Sequence, residues 1–291
     1  NLIGSYFKNK KLIYKKEFNI PEQLKFLIKE KDKNFICKKP ILGFMRKERF
    51  NGDLNKINEK NSKLNSINFL NKIKNNKRLI FHNFFVQKIS KNKSYIEITC
   101  KNKKEVKKFL VKKLVLASGT IITTKLLADY LNIKNEIKIN HHPRLLSVFF
   151  SKKPIKFNMN FTPSILQIIN NSKQDYYSAD LRPGNRLITG SIIEAFPFMS
   201  PFKAIINFFR HRTIFSNILL DTKHSNIYMK KINDSFKIYC KQADTKNLLK
   251  ERNRKIYKFL LIKKIIFPFY YSVFPGAGAD YHYFGSIPFN S

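Results

Sequence analysis

Apolar and polar residues alternate along much of this chain, which predicts short β-strands more often than long helices. Two pairs of alternating runs predict hairpins, at residues 84–99 and 225–241. Further short apolar runs follow Pro143, at residues 145–150, 164–169 and 187–195. Several strands of this kind predict an antiparallel sheet in the second half of the chain.

Apolar residues at helical spacing predict helices at four places, residues 21–30, 51–77, 198–209 and 244–266. The stretch 51–77 is rich in Lys and Asn, so its sequence is compatible with two alternatives, a helical insertion or a partly mobile loop. The stretch 198–209 carries an apolar stripe with basic residues beside it, formed by Phe198, Phe202, Ile205, Ile206 and Phe209. Such a stripe favours packing against a core, and a membrane surface is the alternative.

The most informative segment runs from residue 114 to residue 127. An apolar run reaches the small residues Ala117, Ser118 and Gly119 and then continues with helical spacing from Thr120. This pattern predicts a strand, a tight turn and a helix with Thr120 as its N-cap, and Gly119 allows a positive φ or a close approach to the backbone. Since the first amides of a helix attract anions, the turn suits a nucleotide, although a purely structural turn has the same pattern.

The charge of the chain is strongly positive but diffuse. The formal net charge is +38, a value typical of partners such as nucleic acid or anionic membrane. Lysine outnumbers arginine by more than four to one, and Asn, Ile and Phe are also abundant, which is the pattern that A/T-rich codons produce. Because phosphate and base recognition prefers clustered arginine, we expect no specific nucleic-acid partner.

Cysteine and hydropathy patterns limit the other classes of site. Cys37, Cys100 and Cys240 are far apart and match no metal-ligand spacing, so we expect no metal site, no disulfide framework and a cytoplasmic location. The longest apolar tract, residues 259–274, contains two lysines and one proline. It falls short of the roughly 20 apolar residues that span a bilayer, so no transmembrane segment is predicted.

Four segments together resemble the glucose-methanol-choline family of flavin oxidoreductases. Residues 114–127 are similar to a family segment in which a strand ends in an alanine-glycine turn after a hairpin, and the hairpin at 84–99 precedes it here. Residues 140–143 resemble the His-Pro step between the flavin and substrate domains, and residues 281–286 resemble a histidine-x-x-glycine-threonine motif with serine as the last residue. The resemblance covers residues 80–291.

The resemblance implies FAD as cofactor and assigns roles to five residues. Val86 matches the position that lies against the adenine, and Ala117, Ser118 and Gly119 match the turn beside the cofactor. His282 matches the catalytic histidine, which would accept the hydroxyl proton while a hydride passes to the flavin. An imidazole suits this task because it titrates near neutrality.

The chain departs from the family pattern at its start. The family's G-x-G-x-x-G turn between a strand and a helix is missing, and the sequence Gly276-Ala277-Gly278 lacks that context. The chain opens on Asn1 and stops at Ser291, so we expect a product that is incomplete at both ends, with the second active-site residue beyond Ser291. The predicted domains are a partial FAD-binding domain at residues 1–143 and a substrate-binding domain at residues 144–291.

The sequence therefore predicts an α/β (α+β) protein with a partial Rossmann-like domain and a substrate domain built on an antiparallel sheet. Its predicted activity is transfer of a hydride from a CH-OH group of an alcohol or sugar to FAD, with the fragment alone inactive. The alternative is a basic module that binds nucleic acid or anionic membrane without catalysis. A third possibility is a fragment without function of its own that aggregates through an open sheet edge.

Overall fold

The computed structural model describes residues 14–17, 20–30, 32–39, 41–44, 75–155, 164–172, 174–184, 190, 193, 197–233, 235–241, 244–276 and 283–287. Its helices are α1 (Glu22–Lys29), α2 (Thr120–Tyr130), α3 (Lys203–Phe209) and α4 (Thr245–Ile262), with 3₁₀ turns at Pro197–Phe202, Arg210–Arg212 and Thr222–His224. Its strands are β1 (Tyr14–Glu17), β2 (Phe35–Lys38), β3 (Ile41–Phe44), β4 (Phe85–Asn92), β5 (Tyr95–Lys101), β6 (Val106–Val111), β7 (Ile137–His141), β8 (Arg144–Ser151), β9 (Leu166–Asn170), β10 (Tyr177–Pro183), β11 (Thr213–Leu220), β12 (Ile227–Ile232), β13 (Ser235–Cys240), β14 (Ile266–Val273) and β15 (Tyr283–Phe284).

The predicted mixed class of helices and antiparallel sheets is confirmed. The described strands form sheets in the orders β14-β8-β11-β10-β9-β2, β13-β12-β7-β15, β4-β5-β6 and β1-β3. Every pairing among the described strands is antiparallel. The parallel pairing of a dinucleotide-binding domain is therefore not found in this described part of the chain.

The chain divides into two compact units, each assembled from three stretches. The first unit contains residues 1–76, 144–220 and 246–274, and the second contains residues 77–143, 221–245 and 275–291. The sequence predicted two continuous domains, 1–143 and 144–291. One change of unit falls between Pro143 and Arg144, where that boundary was expected, but the chain returns to the second unit twice afterwards.

The first unit is a six-stranded antiparallel sheet with helices α1 and α4 packed on one face. Leu24 and Leu27 of α1 and Leu249, Ile256 and Leu260 of α4 are fully buried in the core that these helices share with the sheet. A buried hydrogen bond, from the Ser147 hydroxyl on β8 to the Asn253 side chain on α4 at 2.9 Å, lies within this layer. These α4 residues lie at helical spacing within the helix predicted at 244–266, whereas Ile262 at the helix end is 74% exposed.

The second unit contains the four-stranded sheet, the three-stranded sheet β4-β5-β6 and helix α2, and β4-β5-β6 includes the first predicted hairpin. The hairpin is confirmed, with its turn at Lys93 and Ser94 and Lys93 at φ 52°. The hairpin β12–β13 is confirmed as well. A separate core of this unit consists of Ala128 from α2 and four strand residues, Ile137, Ile139, Ile227 and Met229.

The predicted strand at residues 114–116 is wrong. These residues belong to no sheet of the described structure, and Val115 is 88% exposed. The third strand of the sheet is β6, which pairs with β5 after a turn in which the Asn102 side chain accepts hydrogen bonds from the backbone N–H groups of Lys104 and Glu105. An apolar run becomes a strand only where a neighbouring strand pairs with its backbone groups. The run at 114–116 has no such neighbour among the described residues.

Two predicted segments lie mostly outside the described residues. Only the last three positions of the stretch 51–77 are described, and most of the predicted strand 187–195 is not described either. The stripe at 198–209 does form helical turns, but it is not a core face. No residue of α3 is buried, and Phe208 is 78% exposed. The predicted helical spacing is confirmed, but the predicted packing against a core is wrong. Periodicity indicates which face of a helix is apolar and does not indicate whether another element covers that face.

The three cysteines are free thiols in different environments, and this predicts selective labelling. Burial, followed by the carboxylates of Asp32 and Glu30, raises the pKa of Cys37 to about 12, while Lys263 opposes the shift. Burial also raises the pKa of Cys100, whereas Cys240 is exposed. We expect iodoacetamide to alkylate Cys240 of the native protein first, because the thiolate is the nucleophile.

The labelling is counted by mass spectrometry of native and urea-unfolded protein. Unfolded protein serves as the control, since there all three cysteines should react. Labelling of native Cys37 at the rate of Cys240 would contradict the buried position. Because the folded state holds the Cys37 proton more tightly, the first unit should also lose stability as pH rises from the ordinary thiol pKa towards about 12.

Candidate functional site

The turn before helix α2 has a backbone conformation that only glycine adopts readily. Gly119 is the N-cap of α2, with φ 79° and ψ 160°. This region is essentially restricted to glycine. A Cβ built on Gly119 would meet no atom within 4 Å, so the requirement is conformational and the space around the turn is open.

The N-terminus of α2 presents backbone donors towards this space. The first helical bond is donated by the Thr123 N–H to the Gly119 carbonyl at 2.9 Å. The three preceding amides, those of residues 120–122, therefore have no acceptor within the helix. No acidic residue lies in the first turn, so the partial positive charge of the helix end is not neutralised there.

Thr120 is the first residue of the helix, not its N-cap. No side chain caps this end of α2. The Thr120 hydroxyl instead donates to the backbone carbonyl of Tyr283, a residue 163 positions later in the chain. The threonine thus joins the helix start to the segment 283–287.

A second threonine, one helical turn later, makes the same connection. Thr124 is 1% exposed, and its hydroxyl donates to the Thr120 carbonyl at 2.6 Å. It also contacts the Ser286 hydroxyl. Since a hydroxyl has a single proton and Thr124 uses its proton on Thr120, Ser286 is the donor in the second bond.

Strand β7 holds the other side of the segment 283–287. Tyr283 and Phe284 pair antiparallel with His141 and Asn140. The Asn140 amide also donates to the Gly285 carbonyl at 2.5 Å, and Gly285 has φ 50°, in the left-handed region. Tyr283 and residues 285–286 are therefore held by backbone pairing and by three side chains.

These elements line a cavity of about 440 Å³ that is open to solvent. Its lining residues are all uncharged and come from the turn, the first two turns of α2 and the distant segment: Leu116, Ala117, Gly119, Thr120, Thr123, Thr124, Leu127, Gly285, Ser286 and Ile287. The volume is within the range of small-molecule sites. An anion in this cavity would meet backbone N–H donors at a helix N-terminus, with no carboxylate in the lining.

The predicted site residues fall into three groups. Ala117 and Gly119 line the cavity. Ser118 lies in the turn between them without lining it, and Val86 is a 36% exposed residue of β4, the strand that packs beside α2. His282 lies outside the described residues, directly before the paired residue Tyr283.

The sequence analysis assigned neither Thr124 nor Ile287 to the site and named Thr120 only as an N-cap. Thr120 and Thr124 stand four residues apart, which places both hydroxyls on one face of α2. That spacing was visible in the sequence. Their partners, Tyr283 and Ser286, were not, because nothing local indicates which distant segment will meet a helix face.

The neighbouring histidines have structural surroundings. His141 is 1% exposed; its backbone N–H donates to the Ser225 hydroxyl at 2.9 Å, and that hydroxyl donates to the His141 carbonyl at 2.8 Å. Its Nε2 atom lies 3.2 Å from Oδ1 of Asn226. The His142 ring contacts Phe284, with centroids 5.0 Å apart. Both histidines thus contribute to anchoring strands β7 and β15.

No protein-family model matches the chain, and no curated protein matches it. Across the residues that the structure describes, no cluster of His, Cys, Asp and Glu side chains has the arrangement of a metal site. Within the same residues, no helix combines the length and apolarity needed to cross a membrane.

Proposed function

We propose that this chain is part of an FAD-dependent oxidoreductase that acts on the CH-OH group of an alcohol or sugar, of the kind found in the glucose-methanol-choline family. One observation carries the proposal. The glycine turn at the start of α2 and the segment that follows His282 line the same cavity, although they are more than 160 residues apart in sequence. These are the two places where the resemblance puts the cofactor and the catalytic histidine.

The residues of the cavity fit part of a dinucleotide. The free amides of α2 would bind a phosphate, and Gly119 leaves the turn open for close approach. Ala117 and Ser118 would continue this contact surface. Val86, on the adjacent strand β4, would contact the adenine. FAD, when bound, would supply the acceptor for the hydride.

The protein's own part in the reaction is proton transfer and positioning. His282 would take the hydroxyl proton of the substrate, a step in which the O–H bond breaks and the imidazole becomes protonated. Pairing of Tyr283 with β7 and bonding of Ser286 to α2 fix the chain on the C-terminal side of this histidine. The proposed substrate is a small alcohol or sugar, and the proposed location is cytoplasmic.

Filling the cavity tests the proposal. Thr123→Phe places a larger side chain among the lining residues and should weaken FAD binding about tenfold, because overfilling a packed site costs about 1–3 kcal/mol. FAD binding is measured by quenching of flavin fluorescence on titration with protein.

The matched control is Ile122→Phe. Ile122 is the preceding residue of the same helix, is 48% exposed and does not line the cavity, so this variant should bind FAD like the unaltered chain. Circular dichroism confirms that both variants fold. Equal affinities of the two variants, or no FAD binding by the unaltered chain, would reject the cavity as a flavin site.

A further inference from the structure

The helical segment 197–209 of the first unit carries an exposed apolar surface that the proposed function does not use. We call it the α3 patch; it consists of Phe198, Phe202, Ile205, Phe208 and Phe209, whose exposed fractions are 70%, 49%, 55%, 78% and 44%. Phe202, Ile205 and Phe209 follow the spacing i, i+3 and i+7 at and after the start of α3, which places them on one face of this helix, and Phe198 lies in the preceding 3₁₀ turn. Single exposed apolar residues are ordinary, but five large ones within twelve residues mark an interaction surface.

The exposure of the α3 patch follows from how the helix is attached. Only Ile206, Asn207 and the adjoining Arg210 are half-buried on the side that contacts the unit. The helix then runs through a 3₁₀ turn into β11, and the Thr213 hydroxyl donates to the Phe209 carbonyl at 3.0 Å. The patch therefore lies at the end of the six-stranded sheet where β11 begins.

Basic residues surround this end of the sheet. Lys203 is exposed on the helix itself, and Arg212 donates from its guanidinium to the Lys152 carbonyl at 2.5 Å. Lys152 and Lys153 are exposed at the end of β8, and the Lys152 N–H donates to the Ile265 carbonyl at 2.9 Å, beside Lys264. The α3 patch is thus an apolar stripe with a cationic border.

Two more aromatic side chains lie at the same end of the sheet. Phe267 and Phe269 on the edge strand β14 are 37% and 55% exposed, and their ring centroids are 6.1 Å apart. Phe269 also contacts Phe150 at 5.1 Å, and Phe150 pairs with Thr213 in the sheet register. Exposed aromatic side chains therefore lie on the edge strand as well as on α3 at this end of the sheet.

We infer that the α3 patch binds the surface of membranes that contain anionic lipids. An apolar helical face bordered by Lys and Arg matches the boundary between acyl chains and charged headgroups. A second copy of the chain is a poor partner, because each copy carries a formal charge of +38. Nucleic acid is a poor partner for the stripe itself, since five adjacent apolar side chains offer no contact to phosphates.

The chain contains no tryptophan, so one substitution creates a specific probe. Phe208→Trp places a single tryptophan on the α3 patch, and Phe81→Trp places one at a 59% exposed position of the second unit as the control. Both proteins are titrated with vesicles of phosphatidylcholine, with and without phosphatidylserine. With the anionic vesicles, we expect the emission of Trp at 208 to shift to the blue, because the ring enters the apolar region of the membrane. We expect no shift for Trp at 81.

Substitutions separate insertion from general charge attraction. The double variant F198S/F208S should lose vesicle affinity on the order of tenfold, and the loss should persist at high salt, where attraction between exposed charges is screened. The control I80S/F81S removes two exposed apolar side chains outside the patch and should bind like the unaltered chain. Lys203→Glu should weaken binding about fivefold or more at low salt.

Three outcomes would overturn the inference. The first is an equal shift of both tryptophan probes, which would indicate general adsorption of a basic protein. The second is a blue shift at 208 that depends on protein concentration without lipid, which would indicate self-association. The third is a shift produced by single-stranded DNA and not by vesicles. Because FAD binding is measured separately, failure of either proposal leaves the other intact.

Discussion

Gly119→Ala is expected to weaken FAD binding by roughly five- to more than a hundredfold. Alanine is strained at φ 79° and ψ 160°, and a conformation of this kind costs about 1–3 kcal/mol for a residue with a side chain. The free variant would relieve the strain by changing the turn before α2. FAD binding would then require the variant to return to the original turn, so the free energy of binding would become less favourable by the cost of this strain.

The measurement is FAD titration, with the affinity of the variant compared to that of the unaltered chain. Gly276→Ala is the matched control: Gly276 also has a positive φ, of 96°, and also has no atom within 4 Å of a built Cβ, but it does not line the cavity. It should share the strain without the loss of affinity. If Gly276→Ala lowers affinity as much, the effect is one of general stability and the cavity assignment fails.

Phe149→Ala is expected to lower the free energy of unfolding by about 3–5 kcal/mol, the range for aromatic truncation in a packed core. Phe149 is fully buried on β8, and its ring centroid lies 6.0 Å from Tyr270 and 6.4 Å from Tyr257. Alanine would leave a cavity between the sheet and helix α4. Urea unfolding followed by circular dichroism gives the change.

Phe150→Ala provides the comparison, because successive residues of a strand point to opposite faces. Phe150 is half-buried and contacts Phe269 on the side away from the α4 core, so its loss should cost on the order of 1 kcal/mol. Equal costs for the two substitutions would mean that the helix-covered face is not the main core of the first unit.

Local patterns predicted the elements that depend on neighbouring residues. The hairpins β4–β5 and β12–β13 follow from alternation on both sides of a polar turn. Helices α1 and α2 form where they were predicted, although α1 begins one residue later, after Pro21, and α2 one residue earlier, after Gly119. In each case, residues close in sequence supply the geometry, so the sequence of that segment was enough.

Strands that depend on distant partners were harder to predict. Strand β11 lies between β10 and β8 in the sheet, and β14 pairs with β8 across more than 100 residues. The helix predicted at residues 244–266 ends at Ile262 in the structure, and β14 starts at Ile266. Lys264, with φ 56°, lies in this change of direction.

The candidate site shows the same division. Gly119 and Ala117 could be selected from the small-residue turn and the resemblance together. The contribution of Thr124 depends on Ser286, and that of Asn140 depends on Gly285, so neither could be assigned from its own surroundings.

The sequence by itself determined the mixed class, the two hairpins, the glycine turn and the apolar stripe at 198–209, because each of these is set by side-chain chemistry within a few residues. Only the tertiary structure decided that segment 283–287 closes over the start of α2, that residues 114–116 have no pairing strand among those described, and that the stripe is exposed. The reason is physical. A periodic pattern states which face of an element is apolar, whereas contacts across more than 100 residues decide what covers that face.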